Sequence, residues 1–530
     1  MNYTRSRLVK SLHLSCIGLI VLLLTHSTNL FSQDSLTTLK VNQLNNNIRI
    51  GFIPVKMPTD KFTHLKPTMG TASLHYQASI NNWLYGGAAM YAAITGDQGG
   101  LFTLGVEVGI NKKVSKHISL NSSFHFGGGG GYRSLVNHGG FINPAVGLGY
   151  TTDKFSFGTQ YNFINFYSGS IKSNSIGFFI SIPTTMCIAS YQNAHTNYTV
   201  KGLENTSFRN KAGKHNKQQA RFDFLFPVGD SRKDNGEELN NTLYTIGFEY
   251  QQYSNEKLFF YAHTDAIYKG LRAGFMDLFV GIGYVPIKTN GLDVITKVGV
   301  GAAGGRIAPE GGATIYPSLG LDWQLSNKLS LNIHSGYYRA LAGKLAAYTA
   351  GFGIQFNNFT GGVMSESSKE NITYKTQGIT VSTENQTYFS VNKTDDLEDI
   401  LVADLNLLAL GVHFELSPNA YLLGEAGFAY GGRSGGYAHG IVGLGLQTNR
   451  LINERLNGFV TIGTGAAGGA GVDTGEGVIV RPTAGINIYL SKGIAITSSI
   501  GRLIAAFGNV NATNINIGLN LNFASLMVKH

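Results

Sequence analysis

The stretch NINIGLNLNF, residues 514–523, decides how the rest of the chain is read. Taken alternately, one side carries Ile515, Ile517, Leu519, Leu521 and Phe523, and the other Asn514, Asn516, Gly518, Asn520 and Asn522. Successive side chains of an extended chain point to opposite faces, so the pattern predicts a strand with one oily and one amide-coated face. One such strand suits a soluble sheet as well as a membrane barrel. The recurrence of the pattern and the destination of the chain separate the two.

The pattern does recur. IRIGFIPVKM (48–57), HISLNSSFHF (117–126), KFSFGTQYNFI (154–164), RFDFLFPV (221–228) and KLSLNIHSGYY (328–338) all alternate. Their lengths are near the roughly 9–11 residues of a tilted membrane-crossing strand. Helical periodicity is scarce; DDLEDILVADLNLLAL (395–410) alone leaves room for a short helix within a loop. The chain has 69 Gly, 26 Tyr and 31 Phe against 11 Pro, and only 14% charged residues, where a globular domain has about 25%. The formal charge of +10 is spread without a basic block, and no recognition motif points to nucleic acid.

Arg5, Arg7 and Lys10 precede CIGLIVLLL (16–24), and a polar stretch follows. This order predicts a secretory signal peptide over residues 1–33. The apolar run is shorter than the roughly 20 residues a helical span needs. FSQ before Asp34 resembles Bacteroidota signal-peptide exits and places the cut near Gln33. The mature chain then keeps only Cys187, which excludes an internal disulfide and a cysteine-based metal site.

The pieces also repeat in order. FHFGGGGGYRSLVNHGGFINPAVGLGY (124–150) parallels VGVGAAGGRIAPEGGATIYPSLGLDW (298–323) and IGTGAAGGAGVDTGEGVIVRPTAGINIY (462–489). In each, a glycine cluster precedes a proline by 16 or 17 residues: Gly127 and Pro144, Gly301 and Pro317, Gly465 and Pro482. NWLYGGAAMYAAITGDQGGLFTLGVEVGI (82–110) likewise parallels NAYLLGEAGFAYGGRSGGYAHGIVGLGL (419–446). The chain reads as three β repeats, 34–200, 201–365 and 366–530, with a period of roughly 165–175 residues.

These features predict an all-β fold, an antiparallel up-and-down transmembrane β-barrel of about 24 strands from three eight-strand repeats. The alternative is three separate eight-stranded units, and YGGAAMYAAI (85–94), small on both faces, speaks for some close backbone approach. The single barrel is the expectation adopted. Residues 514–523 resemble the closing strand of bacterial outer-membrane barrels, which end on an aromatic residue, here Phe523; the extension ASLMVKH departs from that pattern. Over most of its length the chain resembles uncharacterised Bacteroidota outer-membrane β-barrel proteins with segments like FHFGGGGG (124–131). The resemblance implies the cell outer membrane and supplies no activity.

Chemistry-bearing motifs are few. GVGAAG (299–304) and GTGAAG (463–468) match G-x-G-x-x-G, but no helix pattern follows, so a dinucleotide site is not expected. His334 and Ser335 alternate to opposite faces, which is poor geometry for a nucleophile and its base; His334 is expected in the lumen. The loops after the glycine clusters carry Arg133 and His138, Arg306 and Glu310, and Asp473, Glu476 and Arg481. These charges are candidates for a binding ring at a pore mouth. No catalytic residue, metal ligand set or cofactor is expected, and the chain is not expected to be an enzyme. The first functional expectation is a channel or transporter for small hydrophilic solutes. The second is a structural or assembly component with envelope-protein partners, and the third a barrel enzyme acting on lipid. The outer-membrane lipid is a partner in every case.

Overall fold

The computed structural model describes residues 39, 41–131, 133–199, 201–203, 206–208, 213–289, 291–307, 310–362, 373–394 and 400–528. The expected signal peptide lies outside the described residues. No described helix is long and apolar enough to cross a membrane, a statement that has no bearing on strands.

Strands β1 (Val41–Lys56), β2 (Thr68–Ser79), β3 (Leu84–Thr95), β4 (Phe102–Lys113), β5 (Ile118–Gly130), β6 (Phe141–Thr151), β7 (Ser156–Phe166) and β8 (Lys172–Ser190) follow one another as antiparallel neighbours. β8 then returns to β1, from Val41 opposite Ala189 to Phe52 opposite Phe178. The ladder closes after eight strands. A three-residue strand β9 (Asn197–Thr199) leads on to β10 (Lys214–Pro227), β11 (Leu243–Tyr253), β12 (Leu258–Lys269), β13 (Met276–Lys288), β14 (Leu292–Gly304), β15 (Ala313–Gln324), β16 (Leu329–Ala340) and β17 (Ala346–Thr360). β17 pairs with β10 and closes a second barrel. The third comprises β18 (Thr373–Thr394), β19 (Ile400–Ser417), β20 (Ala420–Gly431), β21 (Ala438–Gln447), β22 (Leu456–Gly468), β23 (Val478–Tyr489), β24 (Ile494–Ala505) and β25 (Asn511–Val528). It closes through β18 and β25 over fifteen residue pairs from Tyr374–Val528 to Tyr388–Asn514.

The expectation of one wide barrel is therefore corrected to three small ones. Alternation is the same in either case, because it reports which way a side chain points and not where a ladder ends. The region allowed a helix is also corrected, since β19 begins at Ile400; residues 395–399 lie outside the described set.

Asn514, Asn516, Asn520 and Asn522 are buried inside the third barrel, while Ile515, Ile517, Leu519 and Leu521 lie exposed on its outside. The other barrels are built the same way, with Ile50, Leu148, Phe178, Ile282 and Leu319 outward and polar side chains inward. Trp83, Tyr150, Tyr284 and Trp323 sit exposed towards the short-turn end, and Phe226 and Tyr348 towards the long-loop end.

The glycine clusters join the barrels. The fifth strand of each barrel packs on the third strand of another: β5 on β20, β22 on β12, and β14 on β3. This is one contact used three times head to tail, and the rotation closes into a ring. A backbone hydrogen bond crosses each interface: Gly436 N–H to Gly129 O (3.2 Å), Ala273 N–H to Gly475 O (3.1 Å) and Gly99 N–H to Glu310 O (2.6 Å). Ala92, Phe102 and Leu104, Ala302, and Phe428 form one apolar cluster drawn from all three barrels. A Cβ on Gly130 would stand 1.9 Å from Gly436 N, and one on Gly304 2.3 Å from Gly100 N. In YGGAAMYAAI the lumen face carries Tyr85 and Tyr91 beside Ala89 and Ala93, and the outer face, with Ala92, packs against the neighbouring barrels.

Gly130→Val is expected to destabilise the ring by about 1–3 kcal/mol through overpacking against backbone. Gly440→Ala, whose Cβ meets nothing within 4 Å, is the neutral control. Denaturant unfolding in lipid vesicles compares the two; equal midpoints would remove the ring from the account.

Candidate functional site: three charged lumens

An eight-stranded barrel has an interior just wide enough for side chains to fill it. Alternation sends every second residue there, and a buried charge needs a partner. Each lumen answers this with an arginine, a glutamate and a histidine taken from different strand positions.

In the first barrel His75 Nδ1 lies 2.6 Å from Glu107 Oε2, and Gln77 donates to Glu107 Oε1 (2.8 Å). Arg49 donates to Asn121 (3.1 Å), its guanidinium 4.1 Å from the Phe179 ring centre.

The second lumen is the most charged. Arg221, fully buried, donates through Nε and Nη2 to Asp223 Oδ2 (3.1 and 3.0 Å) and through Nη1 to Glu249 Oε2 (2.5 Å). Lys297 Nζ reaches both Glu249 oxygens (2.9 and 2.8 Å). His334 bonds Asp223 through Nε2 and lies in the lumen, whereas Ser335 donates to Thr349 O on its own strand pair. Lys217 and Asp322 form a separate pair at 2.7 Å. His263, Asp265 and Asp277 complete the set, all buried.

In the third barrel Arg481 donates to Glu425 Oε2 (2.7 Å), Gln386 Oε1 (2.9 Å) and Tyr388 Oη (3.0 Å). His439 Nε2 lies 2.9 Å from Glu425 Oε1. A cavity of about 40 Å³ remains beside this network, lined by Glu384, His413, Tyr421, Glu425, Arg481 and Asn516 among others. That volume holds a few waters, each needing ~10–15 Å³.

The candidate loop charges are not gathered in one ring. Arg481 is corrected outright: it lies on β23, inside the third barrel, because Ile479, Arg481 and Thr483 share the inward face. Arg133 lies in a single helical turn, Arg133–Val136. His138 follows it, and burial with the nearby Arg433 and Lys393 of the third barrel holds its imidazole below the usual range. Arg306 pairs with Asp234 of its own barrel (3.6 Å), and Asp473 accepts from Gly475 N–H and Asn509. Glu310 and Glu476 act between barrels, Glu310 through its carbonyl on Gly99 and Glu476 through Oε1 on Gly270 N–H (3.3 Å). The lumen clusters were not expected from sequence, although HTD at 263–265 and RFD at 221–223 carry the i, i+2 spacing that puts both charges on one strand face.

No protein-family model matches the chain, and no curated protein does. Among solved structures it is similar to a NanC porin (7% identity, 57% of this chain and 98% of that one, TM-score 0.16). It is also similar to the outer membrane protein opdK from Pseudomonas aeruginosa (9%, 92% and 99%, 0.24) and to the siderophore receptor PirA from Acinetobacter baumannii (8%, 92% and 81%, 0.25). At those scores the functional reading rests on the ladders and lumens of this chain itself.

Arg221→Met takes the guanidinium from Asp223 and Glu249, leaving them only His334 and Lys297 as charged or ring partners, and is expected to cost about 3 kcal/mol of stability. Arg221→Lys recovers only part of this, because a single ammonium lacks the planar fork that spans two carboxylates. Urea unfolding of the protein in lipid checks both; a loss under 1 kcal/mol in Arg221→Met would contradict the brace.

Proposed function

We propose that this chain is an integral outer-membrane protein that inserts three small barrels as one unit. We assign it a structural role in the envelope: a rigid platform whose interlocked long loops face envelope partners, without covalent catalysis. The observation that carries this reading is the inside-out division of surfaces, oily rows outside and cross-braced charges within. Every backbone group in a closed ladder is paired, which is what a lipid environment demands of strands. Exposed apolar surface on this scale is far beyond the few hundred Å² that soluble monomers carry.

Passage of small hydrophilic solutes, the first expectation from sequence, is retained as the second reading. What favours it is the polar cavity beside Arg481 in the third barrel, which a displaced brace would extend. The Arg221 and Arg481 networks otherwise cross the lumens of their barrels, and beside Arg481 the remaining space is water-sized. Reconstitution distinguishes the readings. The scaffold predicts flotation with vesicles, resistance to carbonate extraction and no sustained large conductance steps in a planar bilayer. Steady large steps in the wild type would replace the scaffold with a channel, and release by carbonate would contradict membrane insertion.

A further inference from the structure

The second lumen holds more negative charge than its own cations balance. Around Arg221, two cations, Arg221 and Lys297, face four buried carboxylates, Asp223, Glu249, Asp265 and Asp277. Glu249 and Asp223 take the donors described above. Asp265 and Asp277 are left over, and they stand directly opposite each other across the β12–β13 pair. Like charges placed so repel, and burial makes the repulsion costly.

His263 stands two residues from Asp265 on the same inward face. Its Nε2 lies 3.9 Å from Asp265 Oδ2 and 3.9 Å from Asp277 Oδ1. One ligand atom from each of the three residues lies within 4.8 Å of the other two. A point among them is roughly 2–2.5 Å from all three, within the range of metal–nitrogen and metal–oxygen bonds. Asp265 is 5% exposed; its Oδ1 accepts no hydrogen bond and turns towards Arg221 Nε (3.6 Å), which leaves Oδ2 as the oxygen on the His263 side. Asp277 is held by Asp265 N–H on Oδ1 (2.9 Å) and by Tyr338 Oη on Oδ2 (3.3 Å), which fixes its carboxylate in place. On the far side of the imidazole, Nδ1 is 3.3 Å from Arg221 Nη1 and 3.6 Å from Glu249 Oε2. With Nε2 on a cation, Nδ1 would carry the ring proton, and Glu249 is the carboxylate on that side that would accept it.

We propose that His263, Asp265 and Asp277 form a divalent-cation site inside the second barrel, with Glu249 positioning His263. One imidazole and two carboxylates suit a cation of the Zn²⁺ or Mn²⁺ class. A charge of two also cancels the excess of the lumen. The site braces β12 to β13 on the barrel whose β12 receives β22 of the third, so its occupancy stiffens the ring. It is independent of whether any lumen conducts.

The test uses the full chain refolded from urea into detergent micelles after metal stripping, with Co²⁺ as a spectroscopic probe and Zn²⁺ and Mn²⁺ for stability. The expected result is about one Co²⁺ per chain with visible d–d absorption and a raised thermal midpoint with Zn²⁺ or Mn²⁺. Asp265→Asn combined with Asp277→Asn keeps side-chain volume and is expected to weaken binding by tenfold or more, as is His263→Ala. His117→Ala, on an exposed turn, is expected to bind as the wild type does. Heat-modified electrophoretic mobility reports whether each variant has closed its barrels. If the wild type binds no Co²⁺ and no cation moves its midpoint, protons balance the lumen and the proposal falls. It falls equally if the folded double variant binds as tightly as the wild type. The wild-type midpoint shift decides the matter where a variant fails to fold.

Discussion

The structure depends on where the hydrogen-bond ladder returns to its first strand. A strand edge in lipid carries unpaired N–H and C=O groups at several kcal/mol each, so a spanning sheet must close. Here the return comes at every eighth strand, through β1–β8, β10–β17 and β18–β25. That number sets the diameter, the diameter sets the room inside, and side chains fill the room. The inward residues must then satisfy one another, and the braces at Arg49, Arg221 and Arg481 follow from that necessity.

Closing three times creates a second requirement, that the barrels stay together. Between them there is no water to expel once the surfaces are in lipid, so close packing and hydrogen bonds must supply the cohesion. Small residues allow it. Gly128, Gly130, Gly304 and Gly468 end the fifth strands, where backbone of one barrel meets backbone of the next. The glycine clusters that look like nucleotide loops in sequence are thus surfaces of contact. Carrying all three barrels on one chain also fixes their ratio and spares the entropy of assembling separate subunits.

The strands were legible because alternation reports side-chain direction whatever the partner; β7 and β16 end within two residues of the stretches that alternate, while β10 begins seven residues before its stretch and β25 runs five beyond. Spacing of the glycine clusters likewise exposed a threefold order. Closure was not legible, since pairing between β1 and β8 is a relation across about 140 residues that leaves no mark on either strand's own pattern. Arg481 follows the third glycine cluster in a stretch that reads as loop, yet a strand beginning at Val478 carries it inward. The lumen clusters escaped for a related reason. His263 and Asp265 share a strand, but Asp277 and Arg221 join them only through the register of β12 with β13 and the curvature of the sheet. The same chemistry recurs in each lumen at different positions, so the sequence repeat preserves the backbone plan and leaves the charges free to move.

Closure within each group of eight is tested most directly by engineered disulfides on a cysteine-free background. The pairs Ile50–Ile180, Ala220–Ile354 and Val381–Leu521 face each other across the three closing ladders. With each pair replaced by cysteines, oxidation in the membrane is predicted to give an intramolecular cross-link in all three variants. Absence of these bonds, with cross-links forming instead in companion variants whose cysteine pairs join β8 to β10 and β17 to β18, would mean one continuous wide barrel and would contradict the account.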